Sequence, residues 1–563
     1  MIEPKYQILA DLLERRLFRV PNYQRPYSWE TKQRTDLFSD IESLSHYSNP
    51  DRHHFMATVV CLDRKKTEAI GADEYKTLEV VDGQQRLTTL IILIKAITKK
   101  IKRDKKLKAE LDGLLVKADK RLILLQINHD DNEVFSKYLK HGHLPAPDKI
   151  KTQAELNLLN AFNECEYFVD EWLKRKKDLV SLVKLLRHRL GFVFYTLEEE
   201  GIVYTIFNAL NSRGLDVDWL DKTKSMLMGI VFEKFKKDAS REHLETLHGI
   251  WTATYKMLGK KTIPGQEILR FAATLKHDKE TSKTLSAEDS YYFFQAYCST
   301  DYKKIIETCE WLHNIAEHLN SLYANSRLSA VTDIAHARLL AIAILQAKVS
   351  EPDRKELLDF WEKMTFKIFG LYRRDARTGV GDYIRLARDI HRQTLKTKDE
   401  ILAKMKKISD SQPIDDAVKE ITNIDCYNGW ENDLKYFFYR YEEDLCDEAK
   451  RDISKEVWAQ IWSKSAFTSI EHIHPQTLSA SWKGKLPGKN GLRNNIHRIG
   501  NLVLLPPNEN SKIGQKSFIE KKKQYQTYGL QMLKEIYERP DWDKKAIDER
   551  ETHLIAWAKK TWG

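Results

Sequence analysis

Two spacings of apolar residues alternate along this chain, one typical of strands and one typical of helices. Apolar, β-branched runs bounded by polar turns predict strands at 54–63, 77–81 and 191–197. Apolar residues at intervals of three and four predict a helix at 7–16, another from Leu87 onward, and more over 110–190.

The middle of the chain, residues 231–420, has the pattern of successive amphipathic helices and contains no chemical motif. At 563 residues the chain is longer than a single hydrophobic core supports. We therefore predict an N-terminal α/β domain at 1–230, a helical linker at 231–420 and a C-terminal domain at 421–563. The predicted fold class is α+β, predominantly helical.

Two short apolar segments in the C-terminal part flank a loop rich in lysine and glycine. The first, predicted as a strand at 467–470, leads directly into Glu471 and His472. The second, predicted as a strand at 501–505, begins with Asn501, and Asn510 follows a pair of prolines in a segment that can form a helix. A carboxylate, an imidazole and two carboxamides therefore converge on one strand–loop–strand–helix segment.

These side chains have the chemistry that phosphodiester hydrolysis needs. The imidazole of His472 can take a proton from water near neutral pH. The oxygen atoms of Glu471 and Asn510 suit Mg²⁺ or another hard divalent cation. The side-chain amide of Asn501 can hold the imidazole in orientation.

The order E-H-I-x-P-Q, then G-N-L-x-L-L, then an Asn nine residues after the first, resembles HNH (His-Me finger, ββα-metal) nucleases. The H-x-x-P and G-N-L-x-L-L form is similar to the C-terminal nuclease domain of GmrSD-type, type IV restriction enzymes. The resemblance implies that His472 is the general base and that Asn501 orients it. It also implies that Glu471 and Asn510 face the metal.

Positive charge is concentrated around this motif. The formal net charge is +11, and residues 451–530 carry 13 Lys and Arg against 5 Asp and Glu. Such an excess suits a polyanion such as DNA, although a solvated basic face gives the same count. The resemblance implies that Lys516 or Lys521 lies near phosphate, while His474 and His497 have no firm counterpart.

Two motifs in the N-terminal part carry groups that bind anions or stack on bases. Prolines keep the segment Y-Q-R-P-Y-x-W-E extended, and an arginine lies among its aromatic rings. Downstream, V-D-G-Q-Q-R-L-T forms a tight turn before a helix, whose N-terminal N–H groups favour an anion. An ordinary helix-start turn and a packed aromatic loop are the alternatives that these residues leave open.

Together these motifs resemble the N-terminal domain of GmrS- and SspE-type proteins, which is related to ParB-like nucleotide-binding folds. The later segments F-x-x-L-N-S-R-G-L and D-x-x-K fit the same pattern. The resemblance implies a site for an NTP, either GTP or ATP, and the chain has no P-loop motif. The residues that it assigns to this site are Tyr23, Arg25, Asp82, Gln84, Gln85, Arg86, Asn211, Arg213 and Lys224.

The sequence therefore predicts an NTP-regulated, metal-dependent DNA endonuclease of anti-phage defence that cleaves or nicks modified DNA. The resemblance leaves two modifications open, glucosylated hydroxymethylcytosine and phosphorothioate linkages. The alternative is a nucleotide-sensing, DNA-binding regulatory protein with an inactive nuclease-like domain, and a nuclease acting on RNA also fits the motif. The oligomeric state, including a homo-oligomer, is left open.

Six scattered cysteines without a CxxC pair argue against a zinc knuckle and a disulfide framework. The chain has no apolar run of membrane-spanning length and no signal-peptide core, so we expect a cytoplasmic protein without a membrane partner.

Overall fold

A computed structural model describes thirteen stretches of the chain: 4–46, 53–70, 73–117, 123–128, 131–146, 149–175, 178–204, 218–235, 241–260, 263–279, 281–462, 465–486 and 495–563. The fold is 65% helical with a mixed sheet, which confirms the α+β, predominantly helical class. The chain divides into two compact units, Met1–His277 with Leu285–Asn320, and Asp278–Thr284 with Ser321–Gly563. The division between the two units lies inside the predicted linker 231–420. The predicted domain boundaries near 230 and 420 stay predictions.

A six-stranded mixed sheet organises the first unit. Its strands are β1 (Lys5–Ile8), β2 (Arg16–Arg19), β3 (His54–Ile70), β4 (Asp73–Asp82), β5 (Leu125–Gln126) and β6 (Leu190–Leu197). The spatial order is β1-β6-β3-β4-β2-β5, with β3 antiparallel to β4 and parallel to β6. The strands predicted at 54–63, 77–81 and 191–197 are confirmed within β3, β4 and β6.

The helix predicted at 7–16 is wrong over half of its length. Only Leu9–Leu13 is helical, because the flanking residues pair with the sheet as β1 and β2. Tertiary pairing of this kind overrides a local helical pattern.

Helices surround this sheet and bury most of its apolar residues in one large cluster, while Val60, Leu62, Val81 and Leu197 pack with Val203 in a second, smaller one. The helix Gln84–Lys100 starts directly after β4 at Gly83, whose φ of 88° is left-handed and favours glycine. The other helices that the structure describes in this unit are Thr31–Leu44, Lys105–Leu115, Asp131–His141, Gln153–Lys174, Leu179–Arg189, Trp219–Lys234, Arg241–Lys260, Gly265–Lys276, Ala287–Cys298 and most of Tyr302–Ala324.

Among its described residues, the second unit is helical except for one small two-stranded sheet. Strands β7 (Ile470–His472) and β8 (Leu502–Leu504) pair antiparallel. Its α-helices are Ser326–Ser329, Ala335–Leu345, Glu351–Thr365, Val380–His391, Lys398–Asp410, Ile414–Asn423, Glu431–Glu448, Lys455–Trp462, Ala466–Ser469, Pro507–Ile513, Phe518–Tyr525, Lys534–Tyr537 and Lys544–Trp562. A π-helical segment, Phe366–Leu371, and short 3-10 turns at Ala480–Trp482, Ile499–Asn501 and Gln531–Leu533 complete it.

The strand predicted at 467–470 is shifted in the structure. Residues Ala466–Ser469 form a short helix, and pairing with β8 starts only at Ile470. The backbone N–H of Leu505 donates to Ser469 O at 2.9 Å, which joins the helix end to the second strand. The strand predicted at 501–505 is confirmed in its centre, as β8.

Within the described part of the chain, no helix combines the length and the apolar character that crossing a membrane requires. All six cysteines are buried and free.

Candidate functional site

Strand β7 places Glu471 and His472 in the interior of the second unit. The two residues pair with Val503 and Leu502 of β8, and both side chains are buried. Because neighbouring residues of a strand point to opposite faces, the carboxylate and the imidazole enter two different environments.

The imidazole of His472 has a partner at each ring nitrogen. His472 Nε2 lies 3.1 Å from His497 Nδ1, and His472 Nδ1 lies 3.2 Å from the amide nitrogen of Gln476. The ring of Tyr427 packs edge-on against it at 4.6 Å. Burial, then His497 and Lys521, lower the pKa of His472 to about 3. The imidazole is therefore neutral at physiological pH, which a general base requires, while a pKa this far below neutrality also makes it a weak base.

The carboxylate of Glu471 lies in a buried ion pair. Lys521 Nζ donates to Glu471 Oε1 at 2.6 Å, and Tyr525 OH donates to the same oxygen at 2.9 Å. Lys521 also donates to His472 O at 2.8 Å, and its side chain is fully buried. Lys521 is thus the counter-ion of Glu471, and the expected phosphate contact at this lysine is wrong because solvent does not reach it.

Asn501 supports the loop after the imidazole and does not contact the His472 ring. Its Oδ1 accepts from His474 N at 2.8 Å and from Trp542 Nε1 at 3.0 Å. Its Nδ2 donates to His474 O at 3.0 Å and to Ile496 O at 2.8 Å. Asn501 therefore holds the backbone at His474, two residues beyond His472, and its predicted role in orienting the imidazole stays a prediction.

Asn510 lies on the helix Pro507–Ile513 and is anchored to the end of β7. Its Nδ2 donates to Thr468 O and Ile470 O, each at 3.0 Å. Both amide hydrogens are used in this way, so the side-chain oxygen is the end left to face a ligand. Ile470 precedes Glu471, which brings the carboxamide beside the carboxylate residue.

The donor set can be compared with the needs of a divalent cation. Among the described residues, no group of three or more His, Cys, Asp and Glu side chains is arranged to hold a metal ion. Mg²⁺ commonly takes only one or two protein oxygen ligands and completes its shell with water and phosphate. Glu471 and Asn510 carry oxygen donors of this kind, and one carboxylate oxygen of Glu471 is already held by Lys521 and Tyr525.

In the first unit, the two glutamines of D-G-Q-Q-R hold the Y-Q-R-P-Y loop. Gln85 Oε1 accepts from Ser28 N at 3.0 Å, and its Nε2 donates to Pro26 O at 3.1 Å. Gln84 Nε2 donates to Arg25 O at 3.3 Å. Both glutamines are buried and position the loop, and their predicted contact with a nucleotide stays a prediction.

The D-x-x-K motif holds the same loop from the helix Trp219–Lys234. Lys224 Nζ donates to Gln24 Oε1 at 3.1 Å and lies 3.4 Å from Tyr23 O. Arg25 Nε lies 3.2 Å from Asp221 Oδ2, and Tyr255 OH donates to Asp221 Oδ1 at 2.5 Å. Burial lowers the pKa of Lys224 to about 8. The D-G-Q-Q-R and D-x-x-K motifs thus both bind the loop that the Y-Q-R-P-Y motif forms.

A cavity of about 310 Å³ opens beside this loop. That volume is at the lower end of ordinary small-molecule sites. The charged and polar side chains that line it include Arg25, Tyr27, Asn157, Asp218, Asp221 and Tyr255.

The remaining residues that the resemblance assigns to the nucleotide site differ in burial and in contacts. Burial raises the pKa of Asp82 to about 6, and its carboxylate accepts from Gly83 N at 2.8 Å. The guanidinium of Arg86 lies 5.9 Å from the ring centre of Trp29. Tyr23 is buried and stacks on His248 at 4.2 Å, so it packs in the interior. Asn211 and Arg213 lie outside the described residues.

Several contacts of these sites were missed from the sequence. Gln476 is the last residue of E-H-I-x-P-Q, so the motif itself contained this signal. Asp221 begins the D-x-x-K motif and could have been assigned in the same way. His497 and Tyr427 carried no recognisable signal, because only folding brings them beside His472.

Two family models match the chain. The model "GmrSD restriction endonuclease, N-terminal domain" matches residues 9–228, and "GmrSD restriction endonucleases, C-terminal domain" matches residues 412–557. The first segment contains the three motifs that meet at the loop, and the second contains β7 and β8. No curated protein matches the chain. The two matched segments together cover more than half of the sequence, and the chain belongs to the GmrSD family of type IV restriction endonucleases.

Proposed function

We propose that the second unit is an HNH-type, metal-dependent nuclease in which His472 is the general base. The observation that carries this proposal is the buried, neutral imidazole of His472, held by partners at both nitrogens beside Glu471 and Asn510. A neutral imidazole has a lone pair on one ring nitrogen, so it can accept a proton from water directly.

In the proposed reaction the imidazole of His472 takes a proton from a water molecule. The water oxygen bonds to phosphorus, and the bond from phosphorus to the leaving sugar oxygen breaks. The leaving oxygen then takes a proton from solvent. A divalent cation, Mg²⁺ or a similar ion held by Glu471 and Asn510, would supply charge neutralisation at that oxygen.

The first unit is proposed to bind and hydrolyse GTP or ATP at the loop that carries Arg25. Support comes from the cavity of about 310 Å³ and from the guanidinium groups of Arg25 and Arg86 near the start of the helix Gln84–Lys100. Guanidinium groups are effective phosphate donors. Nucleotide turnover in this unit would regulate cleavage of modified DNA by the other.

The deciding experiment is cleavage of matched plasmids that are unmodified, glucosylated on hydroxymethylcytosine, or phosphorothioated. Each plasmid is incubated with Mg²⁺, with and without GTP or ATP, beside the His472→Ala protein. Cleavage of one modified plasmid that is lost in the variant would support the proposal and identify the modification. Cleavage that persists in His472→Ala would exclude this base.

The second candidate is a DNA-binding regulatory protein whose nuclease-like unit is inactive. It is favoured by one observation, the occupation of Glu471 Oε1 by Lys521 and Tyr525, which opposes metal binding. Tight binding of a modified plasmid without cleavage under any of these conditions would support this candidate.

A further inference from the structure

In each hydrogen bond of the His472 ring, the donor and the acceptor can be assigned from the chemistry of the bonded groups. The amide nitrogen of Gln476 carries only hydrogens, so at 3.2 Å it donates to His472 Nδ1. A neutral imidazole that accepts at Nδ1 carries its single proton at Nε2. That proton faces His497 Nδ1 at 3.1 Å, which must then be the acceptor.

His497 is held in place for this contact by the segment before the helix Glu431–Glu448. Cys426 N donates to His497 O at 3.2 Å, and the ring of Tyr427 stacks on the His497 ring at 5.3 Å with an angle of 10°. Asp425 accepts from Tyr427 N at 3.0 Å and from Asn428 N at 3.1 Å, which fixes the turn. Tyr427 therefore contacts both imidazoles and keeps them at their observed angle.

Resting on the proposed nuclease function, we propose that His497 is a positioning residue that fixes the Nε2–H tautomer of His472 and makes Nδ1 the basic nitrogen. Gln476 then occupies the place of the reacting water. Gln476 is exposed, so its side chain can leave while the half-buried His497 keeps the tautomer.

The tautomer can be measured without any activity assay. The full-length protein is labelled with ¹⁵N at histidine, and the His472 signals are assigned by their loss in His472→Asn. We expect Nε2 to carry the hydrogen and Nδ1 to be unprotonated. A proton on Nδ1 of His472 would overturn the proposal.

Gln476→Ala tests which partner of His472 fixes the tautomer. Removal of the amide leaves Nδ1 without its donor, so the proton should stay on Nε2 as long as His497 accepts it. A proton that moves to Nδ1 in this variant would show that Gln476, and not His497, fixes the tautomer.

Two substitutions of His497 distinguish the effect of its hydrogen-bond acceptor from the effect of its aromatic ring. His497→Asn keeps an oxygen near the position of Nδ1, and His497→Phe keeps the ring that stacks on Tyr427 but removes the acceptor. We expect His497→Phe to lower kcat by about tenfold to a hundredfold with KM nearly unchanged, and His497→Asn to recover most of the loss. Equal loss in both variants, or a wild-type kcat in His497→Phe, would show that the acceptor does not matter.

These outcomes are distinguishable from failure of the proposed function. If the wild-type protein cleaves no DNA, the nuclease proposal fails, while the NMR experiment still tests the tautomer. If it cleaves DNA and His472 is protonated at Nδ1, only the inference about His497 fails.

Discussion

Lys521 and Glu471 form a buried ion pair with 2.6 Å between Nζ and Oε1, at the residue that precedes the proposed base. Both charges are removed from water, so their solvation is replaced by each other and by Tyr525 OH and His472 O. Such pairs are costly to break because the remaining charge is left without compensation.

Lys521→Met should therefore destabilise the second unit by about 3–5 kcal/mol, measured as the free energy of unfolding in urea. Lys523→Met, on the exposed side of the same helix, is the matched control and should stay within about 0.5 kcal/mol. The double variant Glu471→Gln with Lys521→Met removes both charges and should recover much of the loss. A double variant that is less stable than Lys521→Met would contradict the ion-pair interpretation.

The side chain of Asn501 makes four hydrogen bonds, to His474 N, His474 O, Ile496 O and Trp542 Nε1. Its Oδ1 and its Nδ2 each have two partners. In Asn501→Asp, a carboxylate would replace Nδ2 opposite the carbonyl oxygens of His474 and Ile496. We expect a loss of about 3 kcal/mol or more in unfolding free energy, together with reduced cleavage. Asn508→Asp, at an exposed position nearby, should leave both nearly unchanged, and a similar loss there would point to a general charge effect.

The sequence predicted the motifs and most of the elements that carry them, because short-range patterns determine these. The strands β3, β4 and β6 and the loop-to-helix turn at Gly83 follow from β-branched runs and a D-G dipeptide. The roles of Gln84, Gln85 and Lys224 were not predictable in the same way. Their amide and ammonium groups bind backbone atoms up to 201 residues away, and such partners are not encoded in local spacing.

The contacts within the proposed nuclease site could not be predicted for the same reason. The residue order identified Glu471, His472, Asn501 and Asn510, but not which of them contact each other. The resemblance implied that Lys516 or Lys521 lies near phosphate, and only the full burial of Lys521 against Glu471 reveals its structural role.

Arg86 and Gln85 should differ in the way they affect nucleotide binding. Gln85→Ala removes two hydrogen bonds to the Y-Q-R-P-Y loop, so it should lower both the stability of the first unit, by about 2 kcal/mol, and NTP turnover. Arg86→Ala should abolish turnover while unfolding free energy changes by less than about 1 kcal/mol, since Arg86 is only half-buried.

Turnover and urea unfolding are measured on the same preparations, with Arg103→Ala at an exposed site as control. Wild-type turnover in Arg86→Ala would exclude this arginine from the nucleotide site. Wild-type stability in Gln85→Ala would show that the loop does not depend on that amide.

We expect His336 to make the second unit sensitive to acid. It is buried, its Nε2 donates to Thr378 O at 3.1 Å, and burial lowers its pKa to about 4. In the unfolded chain the imidazole takes up a proton near pH 6.5, whereas the folded chain does so only near pH 4. The unfolded state therefore binds more protons between these values, and stability falls as the pH is lowered through this window. Between pH 7 and pH 5 this one residue should remove about 2 kcal/mol of unfolding free energy.

His336→Gln keeps a donor for Thr378 O and does not titrate, so urea unfolding at pH 7 and pH 5 should show a pH dependence about 2 kcal/mol smaller than in the wild-type protein. His553→Gln is the matched control, because that imidazole is exposed and its replacement should leave the wild-type dependence in place. If His336→Gln lost as much stability between pH 7 and pH 5 as the wild-type protein, the acid sensitivity would have to come from other groups, and the buried neutral state of His336 would be refuted.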